Sequence, residues 1–146
     1  MGKEIRIDSL KYIQMNWYKI AKIKDVDGIY IEYPIANSIV SGLSVLPDVP
    51  NTSSIQSSLH NYTILSNIRE VPMSDFYVTG NSYSVSEDKR ISDLVNELSQ
   101  SKQIKPLIVV IDSKGQYILE GSHRIDALYR LGIKTFPALV VIDKED

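Results

Sequence analysis

No cysteine occurs among the 146 residues. Disulfides, thiol nucleophiles and Cys-ligated zinc or iron–sulfur centres are therefore excluded, and the absence accords with a reducing compartment. Histidine is nearly as scarce. His60 and His123 are the only imidazoles, and their neighbours in sequence do not complete a metal-ligand set. No apolar run approaches the roughly 20 residues that cross a bilayer, and the Met1-Gly2-Lys3-Glu4 start leads into no hydrophobic signal segment. A dominant charge is missing too. Lys and Arg total 16 against 18 Asp and Glu, a net charge of −2, so no global field draws the chain to nucleic acid or anionic lipid. Basic and acidic side chains balance in residues 1–66 and again in residues 67–143. These absences set the expectation of a soluble cytoplasmic protein with no membrane partner. Any affinity for an anion must come from a local arrangement.

What is present suffices for one domain with a real core, the hydrophobic share being 43%. Residues 8–24 read as an amphipathic helix, with Leu10, Ile13, Trp17, Ile20 and Ala21 on one face, Asp8 or Ser9 at its start, and Lys19, Lys22 and Lys24 near its end. Asp25-Val26-Asp27-Gly28 is a turn, and Ile29 to Ile35 alternates as a half-buried strand does. Ile39 to Leu46 reads as one short strand, and Ser53 or Ser54 is placed to cap a short helix bearing Ile55 and Leu59. No repeat and no catalytic spacing marks residues 1–66. They form an N-terminal α/β extension that packs on a core domain of residues 67–146 and offers a surface for a protein partner.

From Ile68 the pattern tightens. Ile68 to Met73 is a strand stopped at Pro72, Asp75 to Tyr83 is irregular with a Gly80-Asn81 turn, and Ser86-Glu87-Asp88 opens a helix whose stripe is Ile91, Leu94, Val95 and Leu98. Pro106 introduces the buried strand Leu107 to Ile111. Asp112-Ser113-Lys114-Gly115 turns into a strand over 116–120, and Phe136 to Ile142 is the last strand. Between them lies Tyr117-Ile118-Leu119-Glu120-Gly121-Ser122-His123-Arg124-Ile125-Asp126-Ala127-Leu128-Tyr129-Arg130-Leu131-Gly132, a strand, a glycine turn and a helix. Gly121 permits a φ > 0 turn, Ser122 suits the N-cap and Asp126 the positive end of the helix dipole, and Gly132 stands where a C′ glycine belongs. The first N–H groups of such a helix lack intrahelical partners and here sit beside an imidazole and a guanidinium. That is an anion pocket, with phosphate its common biological occupant.

In this order the pieces over residues 68–142 resemble the ParB/sulfiredoxin superfamily. The matching segments are Ile68-Arg69-Glu70-Val71-Pro72-Met73, Arg90-Ile91-Ser92-Asp93-Leu94-Val95-Asn96-Glu97-Leu98, Ile104-Lys105-Pro106-Leu107-Ile108-Val109-Val110, the Gly-Ser-His-Arg helix start, and Leu131-Gly132-Ile133-Lys134-Thr135-Phe136-Pro137-Ala138. The resemblance implies an α+β fold, a small mixed sheet with packed helices. It also implies a nucleotide (ATP, ADP or CTP, with Mg²⁺) whose phosphates sit on Gly121, Ser122, His123 and Arg124, with Arg90 matching a second basic contact of the sulfiredoxins. Ser122 stands where a sulfiredoxin has its cysteine, so sulfinic acid reduction is excluded. The ParB partition proteins are matched less closely at the motif, where Ser-His replaces Glu-Arg. The His-Arg form is nearer the free-serine kinases of this fold and the DGQHR-type proteins of phage and mobile elements.

Phosphoryl transfer needs more than a cradle: charge neutralisation and a group that orients the nucleophile. Glu120 is the first candidate for base or metal ligand and His123 for a donor to the phosphate. Glu97, Glu87 and Asp88 follow, with Glu32 more remote. No residue set specifies a protein-held metal site. Three functions follow from the sequence. The first is an NTPase or small-molecule kinase. The second is a nucleotide-sensing module in which occupancy orders residues 74–86. The third, disfavoured by the neutral charge, is a ParB-like DNA-binding protein or nuclease.

Overall fold

Two sustained apolar runs, Leu107 to Ile111 and Phe136 to Ile142, lie side by side and organise the molecule. The computed structural model describes residues 20–24, 30–47, 52–76, 85–112 and 115–143. Its elements in chain order are β1 (Ile20–Lys24), β2 (Tyr30–Pro34), β3 (Ile39–Val40), β4 (Leu43–Val45), α1 (Ser53–Ser58), β5 (Tyr62–Ile64) and β6 (Arg69–Pro72). After a 3-10 turn at Met73–Asp75 come α2 (Val85–Ser101), β7 (Gln103–Ile104), β8 (Leu107–Asp112), β9 (Gly115–Glu120), α3 (Ser122–Arg130) and β10 (Thr135–Asp143).

The nine-residue β10 is central. On one side it pairs in parallel with β8, Val140 opposite Val109, and β8 continues antiparallel to β9. On its other side it pairs antiparallel with β6 along its first half and with β5 along its second. Parallel strands covered on both faces need apolar residues at every position, and β8 and β10 supply them. Leu107, Val109, Ile111, Phe136, Ala138 and Val140 point to one face, where Ile91 and Leu98 of α2 and Ile125, Ala127 and Leu128 of α3 cover them. Ile108, Val110, Leu139 and Val141 point to the other, under Ile55 of α1 and Leu59. The result is a mixed α+β architecture, two helices on one face of the sheet and one on the other. A small sheet, β3-β4-β7, and the β1–β2 hairpin complete it.

Several expectations are corrected. The tail of the helix expected over 8–24 is instead strand: Ile20–Lys24 pairs antiparallel with Tyr30–Pro34. A hairpin partner five residues away supplies inter-strand hydrogen bonds that a lone amphipathic stripe cannot, and local pattern yields to that pairing. Residues 8–19 and the Asp25–Gly28 turn lie outside the described residues. The single strand expected over 39–46 is two strands joined at Ser41-Gly42, both with positive φ (52° and 81°). That is the backbone of a type I′ hairpin turn, held where the Ser41 hydroxyl donates to Thr135 O and shares a second hydrogen bond with the Thr135 hydroxyl. The N-cap of α1 is Thr52, not Ser53 or Ser54, and no side chain caps it. β5, which no pattern in residues 1–66 announced, belongs to the central sheet.

Helix α3 ends as its sequence suggests. Gly132 has φ 74°; its N–H reaches Tyr129 O and the Ile133 N–H reaches Leu128 O, a Schellman closure.

Candidate functional site

β9 delivers its last residue, Glu120, to the start of β8, and the chain then reverses into α3. A bulge marks the approach: Ile108 pairs with Glu120 but Val109 with Ile118, leaving Leu119 as the extra residue. Bulges re-aim side chains at strand ends, and here the residue affected is the carboxylate before the turn. Gly121 has φ 108° and ψ 23° and is itself the N-cap of α3. This corrects the placement of the cap on Ser122, which is the first helical residue and exposed. A serine cap needs an extended backbone, and the glycine has taken that corner in the left-handed region. A Cβ on Gly121 would lie 2.6 Å from Leu107 Cγ and 3.3 Å from Arg124 Nη2. Glycine is therefore required by space as well as by φ.

The first intrahelical bond runs from the Ile125 N–H to Gly121 O, and the N-cap glycine has no side chain to cap this end itself. The amides ahead of it are beyond the reach of the helix's own carbonyls, and the dipole adds partial positive charge. Asp126, expected to serve that dipole, is instead turned inward and buried at 5% exposure.

Arg124 folds back over Gly121. Its Nη1 donates to Lys105 O at 2.8 Å and to Pro106 O at 3.4 Å. Burial lowers its pKa, and the nearby charge of Glu120 acts in the opposite direction. One nitrogen thus braces the entry to β8, while Nη2 stays beside the turn without a hydrogen bond to any described residue. Glu120 Oε2 is buried and likewise has no hydrogen-bond partner among the described residues. A buried carboxylate oxygen left unsatisfied is costly.

His123 is half-buried, with Nε2 3.7 Å from Glu87 Oε2 in the first turn of α2. The neighbouring Asp88 pairs with Arg130 at the far end of α3, where Arg130 Nη1 also donates to Ser92 Oγ. Glu87 and Asp88, two of the acids that the sequence offered as metal ligands, therefore face His123 and Arg130 of α3. Arg90 stands exposed one turn beyond Glu87, and no hydrogen bond or ion pair with a described residue ties it to the glycine turn. Glu97 is exposed and lies about 15 Å further along the α2 axis from Glu87, at 1.5 Å per residue. The side chain of Glu32 and the Gly80-Asn81 turn lie outside the described residues. Gly121, Ser122, His123, Arg124 and Glu120 thus form one corner, flanked by Glu87. The backbone anchors of Arg124 at Lys105 and Pro106 were not foreseen, although Pro106, which fixes the approach to β8, was their one visible signal.

The sequence model of the ParB N-terminal domain matches residues 57–146, well over half of the chain. The chain belongs to the ParB N-terminal domain family. Among solved structures, this ParB-family domain is similar to the crystal structure of sulfiredoxin from Arabidopsis thaliana, at 20% identity and a TM-score of 0.39. That match covers 50% of this chain and 82% of the other. No curated protein matches the chain. Among the described residues of the domain, no three His, Asp or Glu side chains converge as a metal site would require, and no helix is long and apolar enough to cross a membrane.

Proposed function

We propose that this ParB-family domain binds a nucleotide through its phosphates at the start of α3 and uses the site to transfer or hydrolyse the terminal phosphoryl group. The observation that carries the reading is the pairing at one corner of a glycine-capped helix start with a guanidinium held over it. Preorganised N–H groups and Arg124 Nη2 suit phosphate oxygens, because the fork is already fixed by two carbonyls and loses little freedom on binding. His123 adds a donor. In this reading Glu120 takes the proton of an attacking hydroxyl or water as the bond from that oxygen to the terminal phosphorus forms and the bond to the nucleoside diphosphate breaks. Magnesium is usually held by substrate phosphates with one or two carboxylates, and Glu120 is the fitting one here. Its role would be charge neutralisation.

A nucleotide-sensing module without turnover is the second reading, favoured by the fact that, among the described residues, Glu120 alone is a carboxylate at the turn itself, Glu87 being turned to His123. The ParB family membership also accommodates nucleic acid as a partner, although a net charge of −2 gives that reading no electrostatic support.

A thermal-shift panel of ATP, ADP, CTP and GTP, with and without Mg²⁺, tests the proposal. Ligand at about 100 times its Kd stabilises by ~2.7 kcal/mol, which raises the Tm of a domain this size by about 5 °C or more. Arg124→Ala should remove the shift. Nucleoside diphosphate release separates the enzyme from the sensor. No shift with any of the four nucleotides would reject both.

A further inference from the structure

The contact between His123 and Glu87 places a carboxylate where an incoming anion would bind. We infer that Glu87 is a specificity-determining residue: a resident anion that a ligand must displace from His123, so that the site selects polyphosphates over small anions such as inorganic phosphate. The inference rests on the anion-binding reading of the α3 start and names the class of ligand that start accepts.

Three observations support the exchange. The pair is loose, 3.7 Å between Nε2 and Oε2, with the two side chains 29% and 46% exposed, so Glu87 can turn toward solvent. Glu87 lies in the first turn of α2, where the helix dipole continues to favour its charge after it lets go. Asp88 remains tied to Arg130, and Ile91 and Leu98 remain in the core. The swap is therefore local and α2 stays docked.

The charge arithmetic then discriminates. An anion of low charge that replaces the carboxylate beside His123 exchanges one such contact for another and gains little. A polyphosphate spans further, reaching the α3 amides and Arg124 Nη2 as well, and its greater charge outweighs the loss of the Glu87 contact.

The test measures dissociation constants of inorganic phosphate and of tripolyphosphate by calorimetry at fixed ionic strength and pH. Wild type, Glu87→Gln, His123→Ala and the double variant are compared. A half-exposed ion pair contributes up to about 1 kcal/mol, so Glu87→Gln should tighten phosphate about two- to five-fold. Tripolyphosphate should tighten less, lowering the selectivity ratio, and the effect should vanish in the His123→Ala background. If wild type binds tripolyphosphate and Glu87→Gln changes neither constant, the inference is overturned and the anion site stands. Equal tightening of both ligands with or without His123 would also overturn it, since that is general repulsion and not displacement. If no variant binds tripolyphosphate, the inference and the anion reading fall together.

Discussion

Gly121 carries two demands that only glycine meets, a φ of 108° and a gap that a methyl group would close onto Leu107. Leu107 is fully buried, so it cannot swing aside. Gly121→Ala should therefore destabilise the fold by about 1–3 kcal/mol, the cost of forcing a non-glycine residue into a sparsely populated backbone region, with steric repulsion added. Urea unfolding measures it, and a change under 0.5 kcal/mol would show that the turn relaxes. Arg124 is subtler, because it serves the fold and the proposed ligand at once. Arg124→Lys keeps the charge but cannot hold both carbonyls while presenting a second nitrogen to phosphate. It should lose most of the nucleotide-induced Tm shift, while the free protein loses about 1 kcal/mol, the worth of one typical hydrogen bond. An unaltered shift would mean that Arg124 belongs to the fold alone.

At the scale of elements, α1 has six residues and one fully buried side chain, Ile55, which with Leu59 packs on Ile108, Val110, Leu139 and Val141 of the sheet. A helix that short has no stability of its own. Ile55→Ala should cost about 2–4 kcal/mol from lost burial and the cavity left behind, and it should raise hydrogen exchange on the amides of 53–58 before the rest of the domain responds. Much of the sheet was legible because β8 and β10 are buried on both faces and so show as unbroken apolar runs, α2 because its apolar stripe is regular, and α3 because its stripe and its glycine stop agree. What stayed hidden was set by long-range pairing. Ile20–Lys24 follows a helical stripe as well as a strand, and only Tyr30–Pro34 decides. Tyr62–Ile64 carries too few residues to show a period, and β10 makes it a strand. The corner at Gly121 was legible as a turn into a helix. The retention of His123 by Glu87 and of Arg124 by the 105–106 carbonyls was not, because those partners lie 36 and 18–19 residues away in sequence.

The whole molecule has a buried polar seam away from the helix α3 corner, and it sets the response to alkali. Tyr33 is fully buried and donates to Asp75 Oδ2 at 3.1 Å, while its ring packs near Phe76, itself edge-on to Phe136. Burial first, then the charge and hydrogen bond of Asp75, raise its pKa far above the ordinary value of 10.0. Arg69, 2% exposed, gives its guanidinium to Ser66 O and Tyr33 O, and burial lowers its pKa. The two shifts act oppositely on stability. A phenol whose pKa is higher in the folded state contributes stability that is complete below pH 10 and is lost as the pH climbs toward the folded value, because only the unfolded chain releases that proton. An arginine whose pKa is lowered costs stability until the pH approaches its own range near 12.5, so over pH 9–11 the tyrosine governs. Stability should fall by about 1.4 kcal/mol between pH 9 and pH 11 on account of Tyr33, one pKa unit being worth that much. Tyr33→Phe removes the titrating group and, with it, one hydrogen bond worth about 1 kcal/mol. The variant should be the less stable protein at pH 8 and should draw level with wild type near pH 11 in urea melts at both values. Parallel curves across that range would place the alkaline loss elsewhere in the molecule.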